Sequence, residues 1–376
     1  MVADIQVSCF GSLDMIETEW LALEAAAGCT YYQSFSWCKA WFETIGKNAD
    51  IKPQIILGKS KTGELAFLLP FQIRNRFGLK ILEWLCQPDN NYGHGIFFQG
   101  TLGPDWQIWF DENVSHILHL LPAYDVAALC NLPGTVFEKP SPLSTLHRFR
   151  SANQSFLTSL GLNYESLLQK KRTSRSISKM RRRDQRLAEA GPLEMQIFSA
   201  GRQSKKEVAL MLQHKSLQLS EIGVGNFATE QLSAFFDQLL QTEKSHLHLF
   251  CLQQSGRTIS SLLGASHEKT FWLLVLSMSP DAPLQFSPGD YILRKSIAWA
   301  CEKNLQIYDF STGHSHYKEI WAEKEIDLYD YFAAKTLKGM PLAAVYMSFF
   351  AAKRIIKNTP ALKNFLFSAR RLLRRK

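Results

Sequence analysis

Asp309 closes a short apolar run, Ile307-Tyr308-Asp309-Phe310. A carboxylate set beside aromatic walls loses hydration, so its pKa rises toward the range in which it can take a proton from a reacting amine. A second reading of the same residue is an ion pair with Lys318 that pins the following loop. In that loop His314 and His316 flank Ser315, and either imidazole could relay a proton near neutral pH, or the loop is an exposed polar turn. Two imidazoles with no nearby cysteine do not make a ligand set, so no metal is expected.

Ser287-Pro288-Gly289-Asp290 reads as a helix start. Ser287 can cap, Pro288 suits the first helical position, Gly289 permits close backbone approach, and Asp290 falls where a capping box places its acid. Free N–H groups at such an end attract phosphate, although Asp290 would repel it there. Asp89-Asn90-Asn91-Tyr92-Gly93-His94 is a polar loop after an apolar strand, either a recognition loop or an ordinary turn. Gly223–Ala228 looks like a dinucleotide fingerprint but lies between two helices. No Gly-x-Ser-x-Gly, phosphate-loop lysine or His-Glu-x-x-His occurs.

The periods of the chain predict the elements that must hold these residues. Helices are expected at 36–45, 105–121, 205–219, 229–242 and 288–303. Strands are expected at 53–58, 64–74, 79–86, 123–130, 246–252, 257–267, 270–278, 306–310 and 326–332. The layout QIILGKSKTGELAFLLP returns as LFCLQQSGRTISSLLG, strand, turn and strand, so the fold class is α+β with one unit present twice.

The 376 residues suffice for two such units. Their net charge of +9 is uneven. No acid follows Asp330, while 331–376 hold eleven bases, which leaves 32 bases against 34 acids before them. Nine more bases crowd 170–186 with only Asp184 between them, predicting a helix with a buried stripe of Ile177, Met180 and Leu187 and a cationic back. This pattern favours local contact with an anionic surface over wrapped DNA.

From Pro360 a helix would put Leu362, Phe365, Leu366, Ala369, Leu372 and Leu373 on one arc and bases on another. That suits an anionic bilayer surface or packing on the protein. The 341–352 run is too short to span a membrane, and the seven dispersed cysteines and the absence of a signal-peptide pattern point to the cytosol.

The runs FSWCKAWFETIG, FLLPFQIRNRFGLKILEWL, KKRTSRSISKMRRRDQRLAEAG and SPGDYILRKSIAWACEKNLQIYDFSTGHSHYKEIW resemble the CelD-like acetyltransferases. These belong to the GNAT (acyl-CoA N-acyltransferase) superfamily and are related to FemAB-type double-module enzymes. The resemblance implies two tandem GNAT-like modules, at 1–155 and 156–335, with an acceptor groove between them and a basic tail at 336–376. It implies transfer of an acyl group, acetyl in the first instance, from acyl-CoA to an amine of a sugar, amino acid or cell-envelope polysaccharide precursor.

Under that resemblance Asp309 is the base, Tyr317 the acid toward the thiolate, and His316 a further catalytic candidate. Ser287, Pro288 and Gly289 hold the CoA; Asp89, Tyr92, Gly313 and Lys318 meet the acceptor. The oxyanion donor would be a main-chain N–H in 270–278, where two central strands part. Two rivals stand beside this: a FemAB-like ligase that uses aminoacyl-tRNA, and a non-catalytic accessory of polysaccharide assembly at the inner face of the membrane. Anionic lipid, met through 353–376, is the expected macromolecular partner; tRNA enters only under the first rival.

Overall fold

The computed structural model describes residues 5–103, 106–161, 163–199, 204–221 and 229–359. The tail expected at 360–376 and the glycine-rich 223–228 segment lie outside them. The described residues form two units, 5–154 with 326–359, and 155–325.

The first unit begins with β1 (Ile5–Phe10), α1 (Glu17–Ala27) and α2 (Phe35–Trp41). The antiparallel strands β2 (Ile51–Ser60), β3 (Leu65–Arg76) and β4 (Leu79–Trp84) follow, and β5 (Ile96–Phe97) pairs with β3. The short α3 (Gln99–Leu102) and α4 (Trp106–His119) lead to β6 (Val126–Pro133) and a small hairpin of β7 (Thr135–Val136) and β8 (Lys139–Pro140). In α4 the helical spacing of Phe110, Val114, Ile117 and Leu118 puts all four into the core with Phe67, Phe71 and Trp84 of the sheet. Each such burial stabilises the unit by about 1.5–3 kcal/mol.

The second unit starts within β9 (Phe149–Ser159) and continues through α5 (Tyr164–Lys171), α6 (Ser174–Glu189), β10 (Leu193–Ser199), α7 (Lys205–Glu221) and α8 (Glu230–Gln241). Three antiparallel strands come next: β11 (Leu247–Gln254), β12 (Arg257–His267) and β13 (Thr270–Met278). Then come α9 (Pro288–Glu302), β14 (Ile307–Thr312) and α10 (His316–Trp321). The chain returns to the first unit with β15 (Lys324–Ala334) and α11 (Met340–Asn358).

The two units repeat one topology. Strand order is β1-β2-β3-β4-β6-β15 in the first and β10-β11-β12-β13-β14-β9 in the second. In each, the fourth and fifth strands are parallel and joined through a helix, and all other neighbours are antiparallel. The repeat reaches single residues. The fifth strand is bulged in both units, and each bulge holds a residue of positive φ, Asn131 (57°) and Ser311 (60°).

The expected strand at 326–332 exists, but its partner is β6, so it belongs to the first unit and not to the second. The first unit thus takes its closing strand from beyond the second unit in sequence, whereas the second unit closes with β9, the strand that opens it. The basic segment also differs from one continuous helix: Arg172 leaves α5 in an extended conformation, and Thr173 caps α6 by accepting the Ser176 N–H.

Candidate functional site

In the second unit β13 and β14 run parallel for only three pairs, Thr270↔Ile307, Phe271↔Tyr308 and Trp272↔Asp309. Both strands bulge directly beyond this point. The register of β12 with β13 moves from Gly264↔Leu273 to Leu263↔Val275, which leaves Leu274 as an extra residue. In β14 it moves from Asp309↔Leu157 to Thr312↔Ser155 against β9. A bulge bends its strand and raises local twist, so two of them back to back part the ladder. Among the described residues, Leu273–Met278 therefore has no strand neighbour on that side.

Side chains meet part of this exposed backbone. Ser311 Oγ donates to Leu273 O (2.6 Å), and Lys215 Nζ, from α7, donates to Leu276 O (2.9 Å). Burial lowers the Lys215 pKa. The first unit handles the same junction differently. There β4 and β6 pair only through Ile81↔Val126 and Leu82↔Ala127, and the Gln87 side chain bonds onto β6. Its Nε2 donates to Ala128 O (3.0 Å) and its Oε1 accepts the Cys130 N–H (3.3 Å). One junction is plugged by an amide, and the other is lined by a hydroxyl and an amine.

Asp309 stands where β13 and β14 separate, 3% exposed, and its Oδ1 accepts the Ser311 N–H at 2.6 Å. That bond holds Ser311 in its left-handed conformation. Lys318 is also buried, and its Nζ donates to the carbonyls of Ser311 (3.0 Å) and Thr312 (2.7 Å), 5.6 Å from the Phe156 ring centre. Gly313 has φ of 88° at the exit of β14, a conformation that favours glycine. Tyr317 packs near Phe310, and burial pushes its phenol well up, so it stays protonated at neutral pH. Asp309, Ser311, Gly313, Tyr317 and Lys318 are thus gathered at one strand end. His316 is turned to solvent, with Nδ1 3.2 Å from Glu319 Oε2, and His314 contacts the same carboxylate at 3.4 Å.

The α9 end corrects two expectations. Ser287 has φ of 55° and makes no side-chain cap; its Oγ accepts from Arg183 Nη1 instead (2.9 Å). Its carbonyl takes the N–H groups of both Asp290 (3.0 Å) and Tyr291 (3.1 Å). Pro288 has no N–H, so Gly289 supplies the one first-turn N–H outside these bonds. Asp290 forms no capping box; it is enclosed by two cations from the basic segment and one from its own helix. Arg172 Nη2 donates to Oδ1 (2.6 Å), Arg294 Nε to Oδ2 (3.0 Å), and Arg183 lies 3.6 Å away.

Arg294 also grips Asp184 with both terminal nitrogens, at 2.6 and 3.0 Å. Arg172 lies over the buried Trp321 ring, 5.6 Å from its centre. The basic face of α6 is therefore partly an internal clamp, and Trp321 is its floor. A Cβ at Gly289 would meet Met278 Sδ at 2.8 Å, so glycine here lets α9 approach the end of β13.

In the first unit Asp89 is exposed, and its Oδ2 accepts the Trp41 indole N–H (2.8 Å). Tyr92, expected with it to meet the acceptor, is buried, with its ring 5.6 Å from Tyr32.

Lys215 and Ser311 are the residues that sequence reasoning passed over. Lys215 lies in a helix of ordinary period, and its role depends on a bulge in another element; for Ser311 the adjoining Asp309 and Gly313 were a weak local signal.

Residues 174–319 match the family model described as an acetyltransferase (GNAT) domain. No curated protein matches the chain in sequence. Among solved structures, FemX aligns with a TM-score of 0.51 at 12% identity, over 81% of this chain and 92% of its own. L-PGS from Bacillus licheniformis gives 0.51 at 12%, over 87% and 95%. The C-terminal domain of a protein named as a lysylphosphatidylglycerol synthetase, from Agrobacterium fabrum, gives 0.50 at 11%, over 89% and 95%. The fold is that of tandem GNAT-like modules, and residues 174–319 carry a GNAT acyltransferase-type domain. These matches reach the superfamily and do not single out the CelD-like branch.

Proposed function

We propose that the chain is a GNAT-type acyltransferase that moves an acyl group from an activated carrier to an amine, on a sugar, amino acid or cell-envelope precursor as in CelD-like enzymes. The observation that supports this reading is the parting of β13 and β14 after Trp272 and Asp309. A strand without its neighbour presents main-chain N–H groups on its open side, and such fixed donors stabilise the oxyanion of a carbonyl under attack. In the proposed reaction the amine nitrogen forms a bond to the acyl carbon and the bond from carbon to the carrier breaks. Asp309 takes the proton released by the amine, and Tyr317, protonated at neutral pH, returns one to the leaving group. Lys215 holds the stretch around Leu276 in place.

The carrier expected from the resemblance is acyl-CoA. A pyrophosphate does not fit the first turn of α9 as it stands. Ser287 O occupies two of its N–H groups, and the Asp290 carboxylate already fills the arginine clamp. This observation favours a second reading, aminoacyl-tRNA as carrier, and the fold similarity to a protein named for lysyl transfer to phosphatidylglycerol is compatible with it.

Thermal-shift titration of the full chain with acetyl-CoA and with charged tRNA separates the carriers, since a ligand bound only by the folded state raises the melting temperature. Mass spectrometry of an amine panel then reads the acylated product. No stabilisation by either carrier, together with no acylated amine, would overturn the proposal.

A further inference from the structure

One side of α11 belongs to the first unit: Leu342, Tyr346, Met347 and Phe350 pack on Ile81, Ala128 and Phe332. The opposite arc carries Pro341, Val345, Ser348, Ala352 and Ile355, spaced by four, three, four and three residues, with Phe349 beside them. All are exposed. Val345 is 61% exposed, Phe349 60% and Ile355 56%, and Leu337, one turn before the helix, is 86% exposed. Solvated helix faces normally carry charge; this one carries none over four turns.

The bases gather at its ends. Lys338 reaches Asp125 at 3.2 Å, and Lys353, Arg354 and Lys357 fill the last turns. Arg354 and Lys357 contact the neighbouring surface, at Arg150 O (3.4 Å) and Asn153 Oδ1 (2.6 Å). Beyond Asp330 the sequence holds eleven bases and no acid. A second copy seated on this face would bring the same eleven charges with it, whereas an anionic bilayer complements them. Among the described residues no helix is long and apolar enough to cross a membrane, so the geometry available to α11 is to lie along the surface.

We infer that α11 docks the Val345, Phe349, Ala352 and Ile355 face into an anionic lipid surface, parallel to its plane, with the flanking bases at headgroup level. The docked element is a folded helix of the first unit, distinct from the 360–376 tail.

The test is co-sedimentation of the full chain with vesicles of phosphatidylcholine alone and with 30% phosphatidylglycerol. Binding at least tenfold tighter to the anionic vesicles, weakening as salt rises, is expected. The double variant Val345→Glu with Phe349→Glu should lower the partition by roughly tenfold per site, from the apolar burial each loses, with the melting temperature unchanged.

Should that variant fail to fold, Phe349→Trp keeps the face apolar, and its added fluorescence should be quenched by bromine-labelled anionic lipid. Equal or absent binding to the two vesicle types overturns the inference. So does a folded double variant that binds like the parent, which would assign the binding to the tail. A concentration-dependent dimer abolished by the double variant, without lipid binding, would assign the face to a second copy. If the added indole of the Phe349→Trp variant stays unquenched on vesicle-bound protein, the docking is refuted as well.

Discussion

Replacing Asp290 with alanine tests whether a protein carboxylate occupies the anion-binding position at the start of α9. Two of its three cationic partners are almost fully enclosed: the Arg172 and Arg294 side chains are each 7% exposed, and that of Arg183 is 29%. Removing one partner of a buried pair leaves an uncompensated charge and costs about 3–5 kcal/mol. Asp184 still holds Arg294, so the lower part of that range applies, carried mainly by Arg172. At 2–4 °C per kcal/mol for a unit of this size, the melting temperature should fall by roughly 6–12 °C.

The vacated clamp then has the chemistry of a phosphate site, three guanidinium groups around a helix start. Phosphate at 100 times its dissociation constant would restore about 2.7 kcal/mol. The assay is thermal unfolding of Asp290→Ala and parent in phosphate and in chloride of matched ionic strength. A variant that melts within about 2 °C of the parent, or one that gains no more from phosphate than from chloride, refutes the reasoning.

Three further outcomes are expected. Lys215→Met leaves Leu276 O without its donor and should lose about 1–3 kcal/mol, seen in urea unfolding, together with most acyl transfer in the product assay. Burial alone would push Glu323 up, but Lys170, the Ser159 N–H and Lys171 outweigh it and hold the carboxyl at about 2. Its contribution is complete above the unfolded value near 4.3 and is lost as pH falls toward 2; after solvent screening at Lys170 it is on the order of 2 kcal/mol, and Glu323→Gln should flatten acid unfolding in that window. Burial pushes His94 down to about 4, and its ring bonds Gly95 O at 2.5 Å. The unfolded chain then binds a proton between pH 6.5 and 4 that the folded one refuses. Stability falls across that window, and His94→Phe should lessen the slope of melting temperature against pH.

The hairpin of β11 and β12 and the course of α9 were legible in the sequence, because alternation, the Ser255-Gly256 turn and Pro288 each act within a few residues of the structure they set. The repetition of one α+β unit was legible for the same reason, but not the unit that β15 completes. The parting of β13 and β14 was not, since Leu274 sits in a continuous apolar run in which a bulged residue looks like any other.

Ser287 shows how a correct local preference is overridden: the hydroxyl suited to capping is taken by Arg183, 104 residues away in sequence. Asp290 looked hostile to anions because two of its three cationic partners, Arg172 at the end of α5 and Arg183 in α6, come from more than a hundred residues away in sequence. Helix α1 and strands β1, β9 and β10 escaped notice; α1 mixes small and acidic residues with little apolar periodicity, and β9 is largely polar along its length.

The pairing of β6 with β15 has a consequence for synthesis. A ribosome delivers the first unit's other strands long before it reaches Ile326. During the roughly 10–40 s needed to translate the intervening stretch at 5–20 residues per second, β6 waits with a bare edge that any other strand could occupy. Expression of the amino-terminal half by itself should therefore give aggregates, whereas a circular permutant that brings residues 326–359 ahead of Ile5 would offer the nascent chain its missing strand from the outset.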